Sequence, residues 1–365
     1  METSAESLER IDYPNPYELE LESVDPSPAA LFDSGQHWAY FERLRREDPV
    51  HFVDSEEFGP YWSITKFNDI VKVDSQNTVF SSEPSIAIGD SAIDFEPPMF
   101  IAMDNPKHDG QRKAVSPAVA PVQLDALEQL IRGRVGKVLD SLPVGETFNW
   151  VDKVSIELTT QMLATLFDFP FEERHKLTYW SDIAVTSPTV GISSANREER
   201  QILEQERQAV LMECLEYFTG LWNTRIKEPQ KNDFISLLAH SPATAHMEPL
   251  EYLGNLMLLI VGGNDTTRSS MSGGVLALNQ FPAEFNKLKS NPDLIPNMVS
   301  EIIRWQTPLA HMRRNALEDA VVNGKTIRKG DKVVMWYVSG NRDEEVIENA
   351  NDFIIDRKRA RHHVS

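Results

Sequence analysis

The stretch LIVGGNDTTRSS, residues 259–270, interrupts what is otherwise a long apolar helix pattern. The pattern runs from about Glu248 to Gln280, with Pro249 in its first turn and Pro282 just past its end. At a rise of 1.5 Å per residue, such a helix is about 48 Å long, roughly the breadth of a domain. The length predicts a helix central to the fold, so the glycines and polar residues inside it need an explanation.

Two adjacent glycines, Gly262 and Gly263, stand in the middle of this helix. Each lowers helix stability by about 1 kcal/mol relative to alanine. One explanation is close packing, in which another helix crosses and leaves no room for a side chain. The other explanation is that a flat ligand or a small molecule approaches the backbone there. The residues alone leave both explanations open.

Asp265 and Thr266 follow the glycines and place a carboxylate beside a hydroxyl on a largely apolar helix. Burying a carboxylate is unfavourable unless it is paired or serves a function. A carboxylate and a hydroxyl together can relay protons. We therefore treat both residues as candidate catalytic groups.

The chain of 365 residues has a formal net charge of −20. Its negative field repels nucleic acid and anionic membrane surfaces, so we expect neither as a general partner. One cysteine, Cys214, excludes an intramolecular disulfide and favours a reducing compartment. The N-terminus lacks a signal-peptide pattern, and no apolar run is long enough to span a bilayer. We expect a cytoplasmic protein without a membrane anchor.

Composition separates an acidic, proline-punctuated segment, residues 1–36, from the rest of the chain. We expect an extended arm there and one domain over residues 37–365. Helix patterns dominate residues 108–305, and residues 320–338 change to strand patterns around the hairpin turn Asn323-Gly324. The fold class predicted is mainly α with small β-sheets (α+β).

A loop-like stretch covers residues 80–105. A loop this long inside a compact domain is usually functional or disordered, and its apolar content argues against disorder. His108 and Arg112 follow on one helix face and could hold an anion, although the residues alone favour a solvated helix face. Glu301 and Arg304, at i and i+3, can pair, most often as a surface ion pair worth a few tenths of a kcal/mol.

Basic residues cluster at Arg313-Arg314 and over residues 357–363 of this acidic chain. They fit either a solvated surface or an anion site with a docking patch for an acidic partner. The Walker-type, GxGxxG, HExxH and GxSxG motifs do not occur.

The order and spacing of these motifs are more specific than any one of them. From about residue 37 onward they resemble the cytochrome P450 family, the haem-thiolate monooxygenases. Gly262-Gly263-Asn264-Asp265-Thr266 is similar to the oxygen-binding groove of the family's long central helix. Glu301 and Arg304 match its E-x-x-R pair, and Arg342 lies in the region of the arginine that joins this pair in the family.

The resemblance implies haem b as the cofactor and O2 as the oxidant. It implies that Gly262 and Gly263 lie against the porphyrin, and that Asp265 and Thr266 deliver protons during oxygen activation. The chemistry itself belongs to the cofactor. The residues implied to hold the haem carboxylates are His108, Arg112, Arg314 and His363.

Two segments, residues 262–282 and 99–113, look most similar to the soluble bacterial alkane hydroxylases of this family. The resemblance implies hydroxylation of terminal methyl groups of medium-chain alkanes or fatty acids. Electrons would come from NAD(P)H through a ferredoxin reductase and a ferredoxin. The apolar loop, residues 86–101, and part of residues 180–194 would line the pocket for this hydrophobic substrate. The candidate pocket residues are Ile86, Ile88, Phe100 and Ile101.

In the family, a cysteine thiolate in F-x-x-G-x-x-x-C binds the iron. The matching position is expected beyond Ser365, so we expect these residues to lack the metal ligand, the final helix and the last strands, and to be inactive as a fragment. Cys214 lies elsewhere in the order of motifs. Two alternatives stay open: a family member that acts on a terpene or a steroid, and a naturally short, non-catalytic protein that binds a ligand or a partner.

Overall fold

The structure is a computed structural model, and it describes residues 13–90, 93–185 and 197–364. The described residues form two compact units. Unit 1 contains those of residues 1–90 and 281–365, and unit 2 contains those of residues 91–188 and 197–280. Each unit is described separately below.

Helices account for most of the regular structure. In chain order the α-helices are α1 (Ala29–Asp33), α2 (His37–Glu47), α3 (Phe67–Ser75), α4 (Lys107–Val115), α5 (Pro121–Asp140), α6 (Ile156–Leu166), α7 (His175–Val185), α8 (Arg197–Arg225), α9 (Phe234–His240), α10 (Pro249–Gln280), α11 (Pro282–Ser290), α12 (Ile295–Gln306) and α13 (Tyr337–Gly340).

The strands all belong to unit 1. They are β1 (Val50–Ser55), β2 (Gly59–Ile64), β3 (Phe80–Ser81), β4 (Met312–Ala316), β5 (Ala320–Val322), β6 (Lys325–Ile327) and β7 (Lys332–Met335). Five of them form one mixed sheet in the order β1-β2-β7-β4-β3, and β5 pairs with β6 in a separate hairpin. The mainly helical fold class with small sheets is confirmed.

The β5–β6 hairpin turns at Asn323-Gly324, as the sequence predicts. Both residues have positive φ, 47° and 78°, which is the backbone of the two-residue turns that suit twisted strands. Strand β4 was not predicted, because it carries two arginines and an asparagine instead of an apolar alternation. Strand β4 forms because it pairs with β7, with Met312 opposite Met335. The strand pattern also ends earlier than predicted, since residues 337–340 form α13.

Helix α10 matches the predicted central helix to within one residue at its start and ends where predicted. It belongs to unit 2 and contributes buried side chains to that unit's core together with α6, α7, α8 and α9. Pro249 suits the first turn because its missing N–H has no partner to lose there. The following helix, α11 of unit 1, opens with Pro282.

The described part of the N-terminal segment, residues 13–36, packs against α2 in unit 1. It holds two short 3-10 helices and α1, and residues 1–12 lie outside the described residues. Tyr40 donates a hydrogen bond from its hydroxyl to the carbonyl of Pro14 at 2.8 Å. Val24 and Leu31 are buried with Leu44 in one cluster. Within the described residues, no helix combines the length and the apolarity that crossing a bilayer requires.

Candidate active site

The two glycines of α10 differ in what surrounds them. A Cβ atom on Gly263 would come within 2.6 Å of Leu163 Cδ2, so this glycine allows α6 to pack closely. A Cβ on Gly262 would meet no side chain or neighbouring element of the described residues within 4 Å. Close packing therefore explains Gly263, whereas Gly262 leaves an open strip on the helix surface.

Thr266 lies one turn after Gly262 on the same helix face. Its hydroxyl donates a hydrogen bond to the carbonyl of Gly262 at 2.9 Å. A hydroxyl that donates to a carbonyl of its own helix still has lone pairs, so it can accept a hydrogen bond from another group. The open strip thus carries a hydroxyl that can exchange protons.

Asp265 points away from that strip, towards α7. Its carboxylate accepts a hydrogen bond from the Ser181 hydroxyl at 3.3 Å and forms an ion pair with Arg268. Burial raises the pKa of Asp265 above its usual value, and the Arg268 charge opposes this rise. The carboxylate is therefore half-buried and paired, not free.

Arg268 bridges two carboxylates. Besides Asp265 it contacts Asp182 of α7, with 3.0 Å between Nη1 and Oδ1. No sequence pattern predicts this link, because Asp182 and Arg268 are far apart along the chain and meet where α7 packs on α10. If Asp265 moves towards the open strip, it either loses its ion pair with Arg268 or pulls Arg268 away from Asp182.

The start of α10 holds the apolar loop in unit 2. Gly254 lies so close to the loop that a Cβ there would overlap the backbone oxygen of Pro98. The next residue, Asn255, accepts a hydrogen bond from the backbone N–H of Phe100 at 2.8 Å. The sequence reasoning missed both residues. A glycine followed by an asparagine in a buried helical stretch was the available signal.

His108 lies near the start of α4, one turn before Arg112. Its Nδ1 is 2.8 Å from the carbonyl oxygen of Phe100. Since a carbonyl only accepts, Nδ1 carries the hydrogen and Nε2 faces other partners. Arg112 is exposed. The two predicted anion-binding residues of unit 2 therefore do share one helix face.

In unit 1, Arg314 lies on β4 with its side chain largely buried. It donates to Asp74 at the end of α3, with 2.6 Å between Nη2 and Oδ1. Its neighbour Arg313 points to the opposite face of the strand and pairs with Asp90. Adjacent arginines on one strand thus hold two different parts of the chain, α3 and the end of the loop of residues 82–90.

His363, the other predicted anion-binding residue of unit 1, is partly buried near the C-terminal end of the described chain. Burial lowers its pKa, and the positive charge of Arg304 lowers it further. The neighbouring His362 packs on the ring of Phe67, with 4.7 Å between ring centroids. At neutral pH both effects favour an uncharged His363, which can donate a hydrogen bond but attracts an anion less than a cation would.

The Glu301–Arg304 pair is a buried structural centre of unit 1, not a surface ion pair. Two hydrogen bonds of 2.7 and 2.8 Å join the side chains, and both residues are fully buried. Arg304 also donates to three backbone carbonyls, those of Asn341, Ala350 and Asp352.

The arginine that joins Glu301 is Arg357, which corrects the expectation for Arg342. Arg357 Nε lies 3.1 Å from Glu301 Oε2. Arg342 instead donates to the carbonyl of Trp305 and lies between the rings of Trp38 and Trp305. Burial lowers its pKa to about 9. The side chain of Arg357 is consequently a largely buried partner of Glu301, whereas Arg359 and Arg361 are exposed.

The candidate pocket residues fall in both units. In unit 1, Ile88 is buried against Phe41 and Trp336, while Ile86 is half-buried. In unit 2, the ring of Phe100 is buried in the core, and Ile101 beside it keeps part of its surface exposed. Of the stretch 180–194, Trp180 is fully buried in the core of unit 2, and residues 186–194 lie outside the described residues.

The residues fit the flat face and the carboxylates of haem better than they fit its iron. Gly262 offers an open strip, and His108 and Arg112 offer donors. Cys214, the chain's single cysteine, is fully buried among Leu211, Leu215 and Phe218, and burial raises the pKa of its thiol. A protonated thiol inside an apolar core does not suit an iron ligand. Within the described chain no group of three or more potential metal ligands occurs.

Comparisons with known proteins agree with this arrangement. The model of the family described as Cytochrome P450 matches residues 64–359. The solved structure of CYP153D17 from a Sphingomonas species is 48% identical, with a TM-score of 0.86, and the match covers 93% of this chain and 84% of that one.

Two curated relatives carry functional names. Linalool 8-monooxygenase of Pseudomonas putida is 32% identical over 337 residues, which is 88% of this chain and 80% of the relative. Methyl-branched lipid omega-hydroxylase of Mycobacterium tuberculosis is 28% identical over 344 residues, which is 90% of this chain and 77% of the relative.

Proposed function

The chain belongs to the cytochrome P450 family of monooxygenases, and from this premise we propose that it hydroxylates the terminal methyl group of medium-chain alkanes or fatty acids. The observation that carries the monooxygenase part is the open strip of α10. Gly262 leaves the helix surface bare, and Thr266 adds a hydroxyl one turn later. Since none of the described neighbours needs the space at Gly262, helix packing among them does not explain a glycine there, whereas a bound ligand does.

Each unit carries candidate residues for the haem carboxylates, and each set is proposed from its own residues. In unit 2, His108 Nε2 and the exposed Arg112 would donate to a carboxylate of the cofactor. In unit 1, Arg314 and His363 are proposed for the same role. When bound, haem supplies the oxidising chemistry for an unactivated C–H bond. The chain's own contribution is to bind, orient and protonate.

Proton delivery is the proposed role of Thr266 and Asp265. The Thr266 hydroxyl holds a proton donor at the open strip. Asp265, whose pKa is raised by burial, supplies protons from the α7 side after it leaves Arg268. Electrons are proposed to come from NAD(P)H through a reductase and a ferredoxin that docks at the exposed Arg359 and Arg361.

The preference for a chain end is supported by the apolar loop and by one relative's name. Ile101 and the partly exposed Ile86 present aliphatic side chains and no polar group that could orient a hydroxylated or charged substrate centre. The lipid relative is an omega-hydroxylase by name, and omega denotes the terminal carbon.

A terpene substrate is the second candidate, favoured by the 32% identity with linalool 8-monooxygenase. A competition assay distinguishes a linear alkane or fatty-acid substrate from a terpene substrate. The assay uses the haem-loaded enzyme with a cysteine ligand on its iron, a role that the buried Cys214 does not suit. Supplied with ferredoxin, reductase and an equimolar mixture of a linear alkane, a fatty acid and a terpene alcohol, this enzyme should form primary alcohols from the linear substrates. Terpene products alone, or hydroxyl groups within the linear chains, would contradict the proposal.

A pair of variants tests the role of Thr266 in the same assay. Thr266→Ala should lower the amount of product formed per O2 consumed, whereas Thr266→Ser keeps the hydroxyl and should retain most of it. Equal ratios in both variants would remove Thr266 from the proton path.

A further inference from the structure

The backbone of Phe100 is held from both sides. Its N–H donates to Asn255 Oδ1 at 2.8 Å, and its carbonyl accepts from His108 Nδ1 at 2.8 Å. Phe100 opens the 3-10 turn Phe100–Ala102 at the end of the apolar loop. Both main-chain groups of Phe100 are therefore bonded to side chains of helices, the N–H to α10 and the carbonyl to α4.

Asn255 uses its whole amide in this clamp. Its Nδ2 donates to Gln111 Oε1 at 2.8 Å, and Gln111 in turn donates to Glu251. Asn255 is fully buried and Gln111 nearly so, so water does not replace a lost partner easily. Each side-chain amide in this series, first Asn255 and then Gln111, accepts a hydrogen bond at its oxygen and donates one from its nitrogen.

The residue before Asn255 reinforces the same contact. Gly254 brings the helix backbone against the carbonyl of Pro98, where a side chain would not fit. Two successive residues of α10 therefore fix the loop at Pro98 and at Phe100. Polar bonding and close packing act on the same short segment, which is why we assign this segment a function beyond general stability.

Within the clamped turn the middle residue is more exposed than its two neighbours. Phe100 is 7% exposed and Ala102 9%, and both belong to the interior of unit 2, while Ile101 is partly exposed. The position of Ile101 thus follows directly from the hydrogen bonds made by Phe100. A shift of the turn moves Ile101 and changes the depth of any apolar surface that it lines.

We propose that Asn255 is a positioning residue that sets substrate length, by holding Ile101 at a fixed depth through the backbone of Phe100. This rests on the proposed function, since it assumes a linear hydrophobic substrate. The clamp also ties the substrate loop to His108, because the Nδ1 of that histidine is committed to Phe100 and only Nε2 is left for an anion.

The test compares Asn255→Leu, which keeps the branched side-chain shape and removes the hydrogen bonds, with Tyr252→Phe as the control. Tyr252 lies one turn earlier on α10, is buried, and donates to the carbonyl of Phe218 instead of the loop. Both variants lose buried hydrogen bonding from the same helix. Only the first is expected to affect the turn.

The first readout is hydrogen–deuterium exchange in the haem-loaded enzyme without substrate. In Asn255→Leu, the amide of Phe100 should exchange about tenfold faster, the factor that corresponds to one ordinary hydrogen bond. Tyr252→Phe should leave that amide at the wild-type rate. An unchanged rate in Asn255→Leu would overturn the clamp.

The second readout is kcat/KM over a series of linear substrates that differ by one methylene group. A shaped apolar pocket discriminates one methylene by about tenfold or more. In Asn255→Leu this ratio should fall about fivefold, through KM more than through kcat, and Tyr252→Phe should keep it. A wild-type ratio in Asn255→Leu would reduce Asn255 to a structural residue.

Ile101→Ala provides a variant whose folding is not at risk, because the side chain is already partly exposed. It should move the preference towards longer substrates, and adding Asn255→Leu should cause little further change, since both act through one side chain. Fully additive effects would contradict the proposal. If the wild type oxidises no linear substrate, the proposed function fails, and with it the length assignment, while the exchange at Phe100 still decides the clamp.

Discussion

Glu301 receives two hydrogen bonds from Arg304, at 2.7 and 2.8 Å, with both side chains fully excluded from solvent. A buried pair differs from an exposed one in what happens when one member is removed. The remaining charge has no water to solvate it, so breaking a buried pair costs about 3–5 kcal/mol, against about 0–1 kcal/mol at the surface.

The first prediction follows from this difference. Glu301→Gln should lower the free energy of unfolding by about 3–5 kcal/mol, measured by urea denaturation. The matched control is Glu128→Gln, which removes an exposed ion pair with Arg132 at 2.7 Å and should change stability by less than about 1 kcal/mol. Equal losses in the two variants would show that the pair is not buried in solution.

The second prediction contrasts three glycines of α10. Gly262→Ala should stabilise the chain by about 0.5–1 kcal/mol, because alanine is the better helix former and none of the described residues occupies the space. It should also weaken haem binding if the porphyrin lies there. Gly254→Ala should destabilise by about 1–3 kcal/mol because its Cβ overlaps a backbone oxygen. In Gly263→Ala the higher helix propensity of alanine raises stability, whereas the clash with Leu163 lowers it.

Thermal unfolding and haem titration of the glycine variants check these outcomes. Gly262→Ala more stable than the wild type but weaker in haem binding is the expected combination. A destabilised Gly262→Ala would mean that the strip is covered by a neighbouring element in solution.

The third prediction concerns pH. The pKa of Asp265 is raised in the folded protein by burial, so folding favours its protonated form. The stability that Asp265 contributes is fully present below its ordinary pKa of 3.8 and is lost as the pH rises through the folded value. The unfolding free energy of the wild type, relative to that of Asp265→Asn, should therefore fall as the pH rises over that window.

Arg268→Gln tests the origin of this pH dependence. The Arg268 charge lowers the pKa of Asp265 against the effect of burial, so its removal should move the window to higher pH. Urea denaturation across a pH series measures both variants against the wild type. A window that stays in place in Arg268→Gln would show that the Asp265–Arg268 ion pair does not form in solution.

The fourth prediction separates two arginines of the basic segment from a third. Arg359→Glu combined with Arg361→Glu should raise the apparent KM for ferredoxin, most steeply at low salt, because both side chains are exposed. Arg357→Glu should instead destabilise the fold, since its guanidinium contacts the buried Glu301. Steady-state kinetics at two salt concentrations and urea denaturation distinguish the two effects. An unchanged KM in the double variant removes this segment from the docking surface.

Local patterns were predicted well where one residue type determines the backbone. Asn323-Gly324 predicts a hairpin turn from its tolerance of positive φ, and the turn forms there. Pro249 and Pro282 place the limits of α10 because proline restricts the positions that it occupies. The family resemblance was predicted from the order of the motifs and is confirmed by the match over residues 64–359.

Partner choice was predicted poorly. The sequence pointed to Arg342 as the third member of the buried pair, but Arg357 contacts Glu301, because the return of the chain past α12 decides which guanidinium reaches the carboxylate. The same holds for Asp182 and Arg268, and for Asn255 and Phe100. No local rule relates residues that are more than fifty positions apart.

The sequence by itself thus determined the helical class, the central helix with its interruption, and the family, because periodicity, proline and glycine act over a few residues. Tertiary structure alone decided how neighbouring residues differ. Gly263 packs against Leu163, whereas Gly262 meets none of the described residues. Phe100 is buried and hydrogen-bonded to Asn255, whereas Ile101 is partly exposed. The physical reason is that burial and pairing depend on which elements meet, and hydrogen bonds and ion pairs gain their strength only once water is excluded.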